Sequence, residues 1–215
     1  FSYLYQMAKN QTYFITGIST EVGKTVVSAI VTEALQADYW KPIQAGELEN
    51  SDTVKVQRLV SNKKSVFHKP AFELKTPMSP HAAAEIDGVS VSAKKIKRPD
   101  TNNSLVMEGA GGLLVPLNNN ETITDLIHPE DQVIVVSRHY LGSINHTLLT
   151  IEALQARNLN VFGIIFSGAA HPSTEQIITK MSGVRILGRI DEEPYFDSNV
   201  VKEYAAVLRN KLTSP

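Results

Sequence analysis

The sequence predicts an α/β protein of three layers, a mostly parallel sheet with helices on both faces, and three observations carry that prediction. Short apolar, β-rich runs alternate with amphipathic helical patterns, the rhythm of strand–helix–strand units. The runs are too apolar to face water on either side, as strands are when helices cover both faces. A loop containing glycine, lysine and threonine lies between the first strand pattern and the first helical pattern.

The strand patterns fall at residues 13–16, 39–42, 105–108, 132–136, 161–166 and 184–190. Over residues 24–36, Val26, Val27, Ile30, Val31, Ala34 and Leu35 recur at spacings of three and four, which makes one buried helical stripe. Ile144, Leu148, Ile151 and Leu154 make another. Helices are also expected around residues 51–60, 172–181 and 200–212, whereas residues 67–100 are broken by prolines, lack a period and read as loop.

A chain of 215 residues with 42% hydrophobic and 20% charged residues can bury a real core, which excludes a disordered protein. One domain is expected over residues 7–215; residues 1–6 precede Met7, a candidate native start, and read as a remnant of cloning. The net charge of −1 lacks the broad positive field that holds nucleic acid or an anionic bilayer, so neither is expected as a partner. Lys94, Lys95, Lys97 and Arg98 read as a solvated face. No run approaches the roughly 18 apolar residues of a membrane span. The absence of cysteine excludes disulfides, thiol nucleophiles and thiolate metal sites, and makes the cytoplasm the expected compartment. The six histidines show no metal spacing.

The strongest local signal is the run Thr16-Gly17-Ile18-Ser19-Thr20-Glu21-Val22-Gly23-Lys24-Thr25. A phosphate-binding loop needs backbone N–H groups converging at a helix N-terminus, glycine where the chain passes close, a lysine for β/γ charge and a hydroxyl for Mg²⁺. Gly23, Lys24 and Thr25 fit those parts. Five residues separate Gly17 from Gly23, where the usual pattern has four. The loop in its strand–helix setting predicts nucleotide binding and a P-loop NTPase-type fold.

Other residues must supply the chemistry. Asp52, in Asn50-Ser51-Asp52, stands just before a helical pattern, where it is either a ligand or simply a helix-start carboxylate. Glu108 ends a strand pattern and precedes Gly109-Ala110-Gly111-Gly112, so it emerges at the carboxyl edge where open α/β sheets bind ligands. Lys41 ends another and is followed by Pro42, either pointing to the same edge or snorkelling at the surface. Thr25, Asp52 and Glu108 offer hard oxygen ligands for Mg²⁺, and Lys24 and Lys41 offer charge to a transferring phosphoryl group.

From residue 13 to about residue 190 the chain resembles the dethiobiotin synthetases. The resemblance rests on an ordered series: Gly17-x-x-Thr20-Glu21-Val22-Gly23-Lys24-Thr25, Lys41-Pro42, Asn50-Ser51-Asp52, Ser79-Pro80-His81, Glu108-Gly109-Ala110-Gly111-Gly112 and Leu141-Gly142-x-Ile144-Asn145-His146. The longer glycine spacing is that family's own. The resemblance implies a homodimeric ligase of biotin synthesis that uses ATP and Mg²⁺ to close a cyclic urea on 7,8-diaminononanoate and CO₂. An amine forms a carbamate, ATP phosphorylates it, and the second amine displaces phosphate, giving dethiobiotin, ADP and phosphate.

By the same resemblance Lys41 and Lys24 are catalytic, and Thr25, Asp52 and Glu108 ligate Mg²⁺. The backbone of Glu21, Val22, Gly23, Lys24, Thr25 and Val26 holds phosphates, with Gly109, Ala110 and Gly111 beside the nucleotide. Thr20 lies beside the diamine, and Gly142, Ser143 and Asn145 open a helix that binds the carboxylate of the neighbouring subunit's substrate.

Three places depart from the family pattern. Ala45 stands where a Ser or Thr contacts substrate, leaving only backbone. Ser167-Gly168 replaces the Asn-Asp that recognises adenine, and Asp191, followed by Glu192 and Glu193, replaces a proline in the later base-binding stretch. A serine hydroxyl cannot both accept from and donate to one base as a carboxamide does, so weakened base discrimination is expected. The rival expectation is a nucleotide switch or partitioning-type ATPase. Against it, no Asn-Lys-x-Asp guanine signature is present, and Gly17-Ile18 stands where the partitioning class usually has a second lysine.

Overall fold

The computed structural model of the protein describes residues 11–214; the expectation for residues 1–6 lies outside them. Nine strands are described: β1 (Thr12–Gly17), β2 (Asp38–Trp40), β3 (Ile43–Ala45), β4 (Phe67–His68), β5 (Phe72–Leu74), β6 (Leu105–Gly112), β7 (Gln132–Arg138), β8 (Val161–Ser167) and β9 (Ile186–Ile190). The α-helices are α1 (Lys24–Leu35), α2 (Asp52–Leu59), α3 (Pro80–Asp87), α4 (Ser143–Gln155), α5 (Pro172–Ser182) and α6 (Ser198–Thr213). Seven strands form one sheet in the order β4-β2-β6-β1-β7-β8-β9. Every pairing within it is parallel. β3 and β5 form a separate parallel pair.

The period of two along each strand divides the interior into two cores. Tyr13, Ile15, Val106, Ile134, Val136 and Ile165 face one side with Val27, Ile30 and Val31 of α1, Val56 of α2 and Val201, Ala205 and Leu208 of α6. Phe14, Leu105, Met107, Val133, Val135, Ile164 and Phe166 face the other with Ala83 and Ala84 of α3, Ile151 and Leu154 of α4 and Ile178 of α5. The expected three layers are present. All carboxyl ends of the central strands open on one edge, and the loops there carry the chemistry-bearing residues.

The structure corrects three expectations. Residues 67–100 are not all loop: they contain β4, β5 and the two-turn helix α3, which starts with Pro80 in its first turn and ends at Gly88 with φ of 66°. Pro at a helix start loses no hydrogen bond and Ala82, Ala83 and Ala84 favour helix, yet eight residues are too few to show a period. Ile144 is not core but exposed; the buried face at the start of α4 is polar, Ser143 and Thr147, with Thr147 Oγ1 donating to the Ser143 carbonyl at 2.6 Å. Ser143 is therefore the first helical residue, with Gly142 in the cap position.

Arg98 is not a solvated charge. Its guanidinium grips the fully buried Asp131 carboxylate with two bonds of 2.7 and 2.5 Å and donates to the Leu126 carbonyl at 2.9 Å. Arg98→Ala strands a charge with no access to water, and a loss of about 3 kcal/mol in unfolding free energy is expected from urea titration. A loss within experimental error would mean that Asp131 is held by its other donor, the His128 N–H, alone.

Candidate active site

β1 ends at Gly17, and the chain then loops over to α1. The Ile18 N–H donates to the Val136 carbonyl at 3.1 Å, tying the loop to β7. Glu21 and Gly23 both have positive φ, 55° and 93°, the left-handed backbone from which anion-binding concavities of successive N–H groups are built. At Gly23 the φ of 93° is what calls for glycine; Ser167 Oγ, 2.8 Å from where a Cβ would stand, could rotate aside. At Gly17 a Cβ would come within 2.8 Å of the Ser19 carbonyl oxygen, so the tight turn needs glycine for space. Lys24, 7% exposed, curls back and donates to the Ser19 carbonyl at 2.9 Å.

Lys41 follows β2 and is 5% exposed, which rules out the snorkelling alternative. Its ammonium bridges Asp52 Oδ2 and Glu108 Oε1, the latter at 3.0 Å. Glu108, in β6, receives a second bond on Oε1 from Thr25 Oγ1 at 3.0 Å, and Tyr39 Oη donates to its Oε2 at 2.9 Å. Asp52 starts α2, where Ser51 caps the helix by accepting from the Val54 N–H; it is both a helix-start carboxylate and a partner of Lys41. The Asp52 N–H is itself fixed by Gln44 Oε1 at 3.2 Å.

These charges set one another. Burial pushes Lys24 down to about 8, reinforced by Lys41 and opposed by Glu108 and Asp52. Burial also pushes Lys41 down, but Glu108 and Asp52 outweigh it and hold the ammonium above its ordinary value. Burial pushes Asp52 up, and the Lys41 charge and hydrogen bond, Lys55 and Thr25 outweigh that to leave it below its ordinary value. The pocket therefore keeps Lys41 cationic and Asp52 anionic at neutral pH, with Lys24 poised near it.

Thr25, Asp52 and Glu108 fit a magnesium ion. They offer oxygen ligands only, Asp52 and Glu108 meet at Lys41 while Thr25 is bonded to Glu108, and Mg²⁺ is usually held by one or two carboxylates together with substrate phosphates. Among the described residues no group of three or more His, Asp or Glu side chains is arranged to hold a metal.

Around this centre lies a groove of about 1530 Å³ lined by most of the expected residues. Thr20, Glu21, Gly23, Lys24, Thr25, Val26, Ala45, Ala110 and Gly111 line it, as do Ser167, Gly168, Asp191, Glu192 and Glu193 at the far end. Val22 and Gly109 do not; Val22 is buried beneath the loop, and Gly109 packs where a Cβ would come within 3.2 Å of Ile123. Gly142, Ser143 and Asn145 lie outside the groove of their own chain; Ser143 is 2% exposed, so its side chain is not presented. Sequence reasoning missed Tyr39, Gln44, Lys55 and Arg138. Lys55 pairs with Glu47 at 2.6 Å and with Asp52 at 3.7 Å, and its place one turn after Asp52 is a signal the sequence carries. Arg138 pairs with Glu192 at 3.0 Å across the groove's far end, where the sequence gives no cue.

Comparison with known proteins agrees with this geometry. The chain matches the AAA domain family over residues 11–199. It is 68% identical to the ATP-dependent dethiobiotin synthetase BioD of Christiangramia forsetii over 94% of this chain and 98% of that one. It is 50% identical to the enzyme of the same name from Cytophaga hutchinsonii, over 91% and 96%. Among solved structures it is similar to the cell division ATPase MinD of Pyrococcus furiosus, with a TM-score of 0.60 at 10% identity over 94% of this chain and 99% of that one. A ParA family ATPase from Chlorobium tepidum gives a TM-score of 0.55 at 10% identity over 93% and 98%. At such identities these structures speak for the fold alone, so the partitioning-type expectation shares the scaffold and nothing more. The sequence identities to the synthetases, over almost the full length of both chains and with the phosphate loop, Lys41, Asp52 and Glu108 gathered at one centre, mean that the chain belongs to the ATP-dependent dethiobiotin synthetase family.

Proposed function

We propose that the chain closes the cyclic urea of dethiobiotin on 7,8-diaminononanoate, with CO₂ as the carbon source and ATP as the activator. The observation that carries this reading is Lys41, a buried cation held by Asp52 and Glu108 beside the phosphate loop. A carbamate oxygen is a poor leaving group until it becomes a phosphate, and the charge on the transferring phosphoryl group grows outside the substrate's own reach. Lys24 and Lys41 would meet that charge from two sides in a pocket with little water, where a fixed cation is worth far more than in solution. Thr25, Asp52 and Glu108 would hold Mg²⁺, which would supply further positive charge against the phosphates. The loop N–H groups from Glu21 to Val26 would orient the phosphates, with Thr20 beside the diamine. The cytoplasm is the compartment where such substrates meet, and no helix of the described residues is long and apolar enough to cross a membrane.

The direct test is product formation. Protein incubated with Mg·ATP, bicarbonate and the diamine should yield dethiobiotin by mass, with one ADP and one phosphate, and exhaustive chelation of metal should stop it. Hydrolysis of ATP unaffected by the diamine, with no dethiobiotin, would favour a nucleotide switch.

Nucleotide binding should report Lys24. Its protonated form is the one that meets phosphate, and in the free chain it is lowered to about 8. Below that pH binding needs no extra proton; above it each binding event must take one up, so Kd should rise by up to about tenfold per pH unit. Lys24→Ala should weaken ADP binding by about 10- to 100-fold and abolish this pH dependence, both read by calorimetry. A Kd that stays flat through pH 9.5 in the unaltered chain would contradict the assignment.

A homodimer completes the reading. Leu141 is fully exposed, Leu149 about half and Ile144 about a third exposed, an apolar face around the start of α4 that neighbours Gly142 and Asn145. Paired about a twofold axis, that face would place Asn145 and the N–H groups of the helix start against the other copy's substrate carboxylate. Leu141→Asp should then give a monomer of 23.7 kDa by light scattering and lose synthesis of dethiobiotin together with dimerisation. A monomeric variant with full activity would contradict it. At the far end of the groove, Ser167, Gly168 and the backbone of Asp191 to Glu193 offer few groups to read a base, so discrimination among nucleoside triphosphates should be shallow.

A further inference from the structure

We propose that Tyr39 is a positioning residue for the Mg²⁺ site: its hydroxyl holds Glu108 Oε2 so that Oε1 alone is turned toward Thr25, Lys41 and the metal. The inference rests on the assignment of Mg²⁺ to Thr25, Asp52 and Glu108. Four observations carry it. The Glu108 side chain has no exposure at all, so water cannot satisfy either oxygen and every donor must come from the protein. The donors are divided: among the described residues Thr25 and Lys41 both reach Oε1 at 3.0 Å, and Tyr39 alone reaches Oε2 at 2.9 Å. The Tyr39 ring is 0% exposed, lies in the core with Val106, and leans on Phe67 with ring centroids 6.3 Å apart. Finally, β2 is locked beside β6 with Tyr39 opposite Val106, two residues before Glu108, so the hydroxyl cannot drift from the carboxylate without breaking the sheet.

The division of labour matters because Thr25 and Lys41 sit on the ligand side of Glu108, and a metal arriving with phosphate competes with them for Oε1. Tyr39 approaches from the core side and meets no such competitor. Its bond can persist through the reaction cycle, holding the carboxylate plane while the partners of Oε1 exchange. Without that bond Oε2 is a buried acceptor with no donor, and the group would rotate to share Lys41 between both oxygens. Outer-shell partners of this kind typically contribute about 10- to 100-fold to metal affinity.

The test is Mg²⁺ binding, not turnover. The unaltered chain and Tyr39→Phe are titrated with Mg²⁺ at saturating ADP, by calorimetry and by the rise in unfolding temperature, and ADP affinity is measured separately in EDTA. The expected result is a loss of Mg²⁺ affinity of about 10- to 100-fold with ADP affinity in EDTA unchanged. Phe67→Leu, which loosens the ring's packing but keeps the hydroxyl, should lower the unfolding temperature and leave Mg²⁺ affinity alone. If Tyr39→Phe does not fold, 4-fluorophenylalanine at position 39, which fills the hydroxyl's volume without donating, is read on the same scales. Equal Mg²⁺ affinity in the donor-less variant and the unaltered chain would overturn the role of Tyr39 and leave the metal assignment standing. No Mg²⁺ binding by the unaltered chain would overturn the metal assignment and this inference with it.

Discussion

Lys41 and Glu108 meet out of reach of water, with Asp52 partly exposed beside them, and the arrangement of the loops around them follows from the need to satisfy these polar groups. A buried carboxylate left alone costs several kcal/mol, and so does a buried ammonium, so removing any one member leaves the others uncompensated. The groups come from three places in the chain: the end of β2, the first residue of α2 and the middle of β6. Only the parallel sheet brings them together, because it places β2 and β6 side by side with their carboxyl ends on one edge. The phosphate loop joins the same edge through β1, the other neighbour of β6, and Thr25 closes the circuit onto Glu108.

This network also explains the poised state of Lys24. With Lys41 already committed to both carboxylates, Lys24 has burial to contend with and, among the described residues, bonds the Ser19 carbonyl. It is a cation awaiting an anion. Incoming phosphates would provide what the protein withholds, which makes nucleotide binding and the completion of the charge balance the same event. A scaffold shared with MinD and ParA ATPases can serve many ends; the second lysine, paired away from solvent at the carboxyl edge, is where the proposed reaction would meet charge on a transferring group.

Much of this was legible in the sequence, for physical reasons. Central parallel strands are apolar on both faces, so β1, β6, β7 and β8 announce themselves, and the phosphate loop is contiguous because its ligand is bound by consecutive N–H groups. Lys41 was legible because it terminates a strand pattern; Glu108 reads as the end of one too, but β6 runs on through the glycines to Gly112, so it stands mid-strand and still lines the groove. What escaped was set by tertiary context. Tyr39 reads as one more apolar strand residue, and only the packing of β2 against β6 reveals that its hydroxyl has a carboxylate to meet. Arg98 sits in a basic run that looks solvated until Asp131, distant in sequence, is found beneath it. Ile144 fits a helical stripe whose first turn is buried through Ser143 and Thr147, two polar residues that satisfy each other and Ser137. The helix Pro80–Asp87 is too short to declare a period.

The proposed chemistry requires Lys41 to act on the transferring phosphoryl group and not merely to neutralise its neighbours. The most direct measurement is single-turnover transfer from γ-labelled ATP, with the diamine and bicarbonate saturating, in the unaltered chain and in Lys41→Ala, alongside ADP affinity and unfolding temperature. A charge stabilised only in the transition state predicts a fall in the rate of transfer of about 10²-fold or more with ADP bound nearly as tightly as before. Transfer at near the original rate in a folded Lys41→Ala chain would contradict the account.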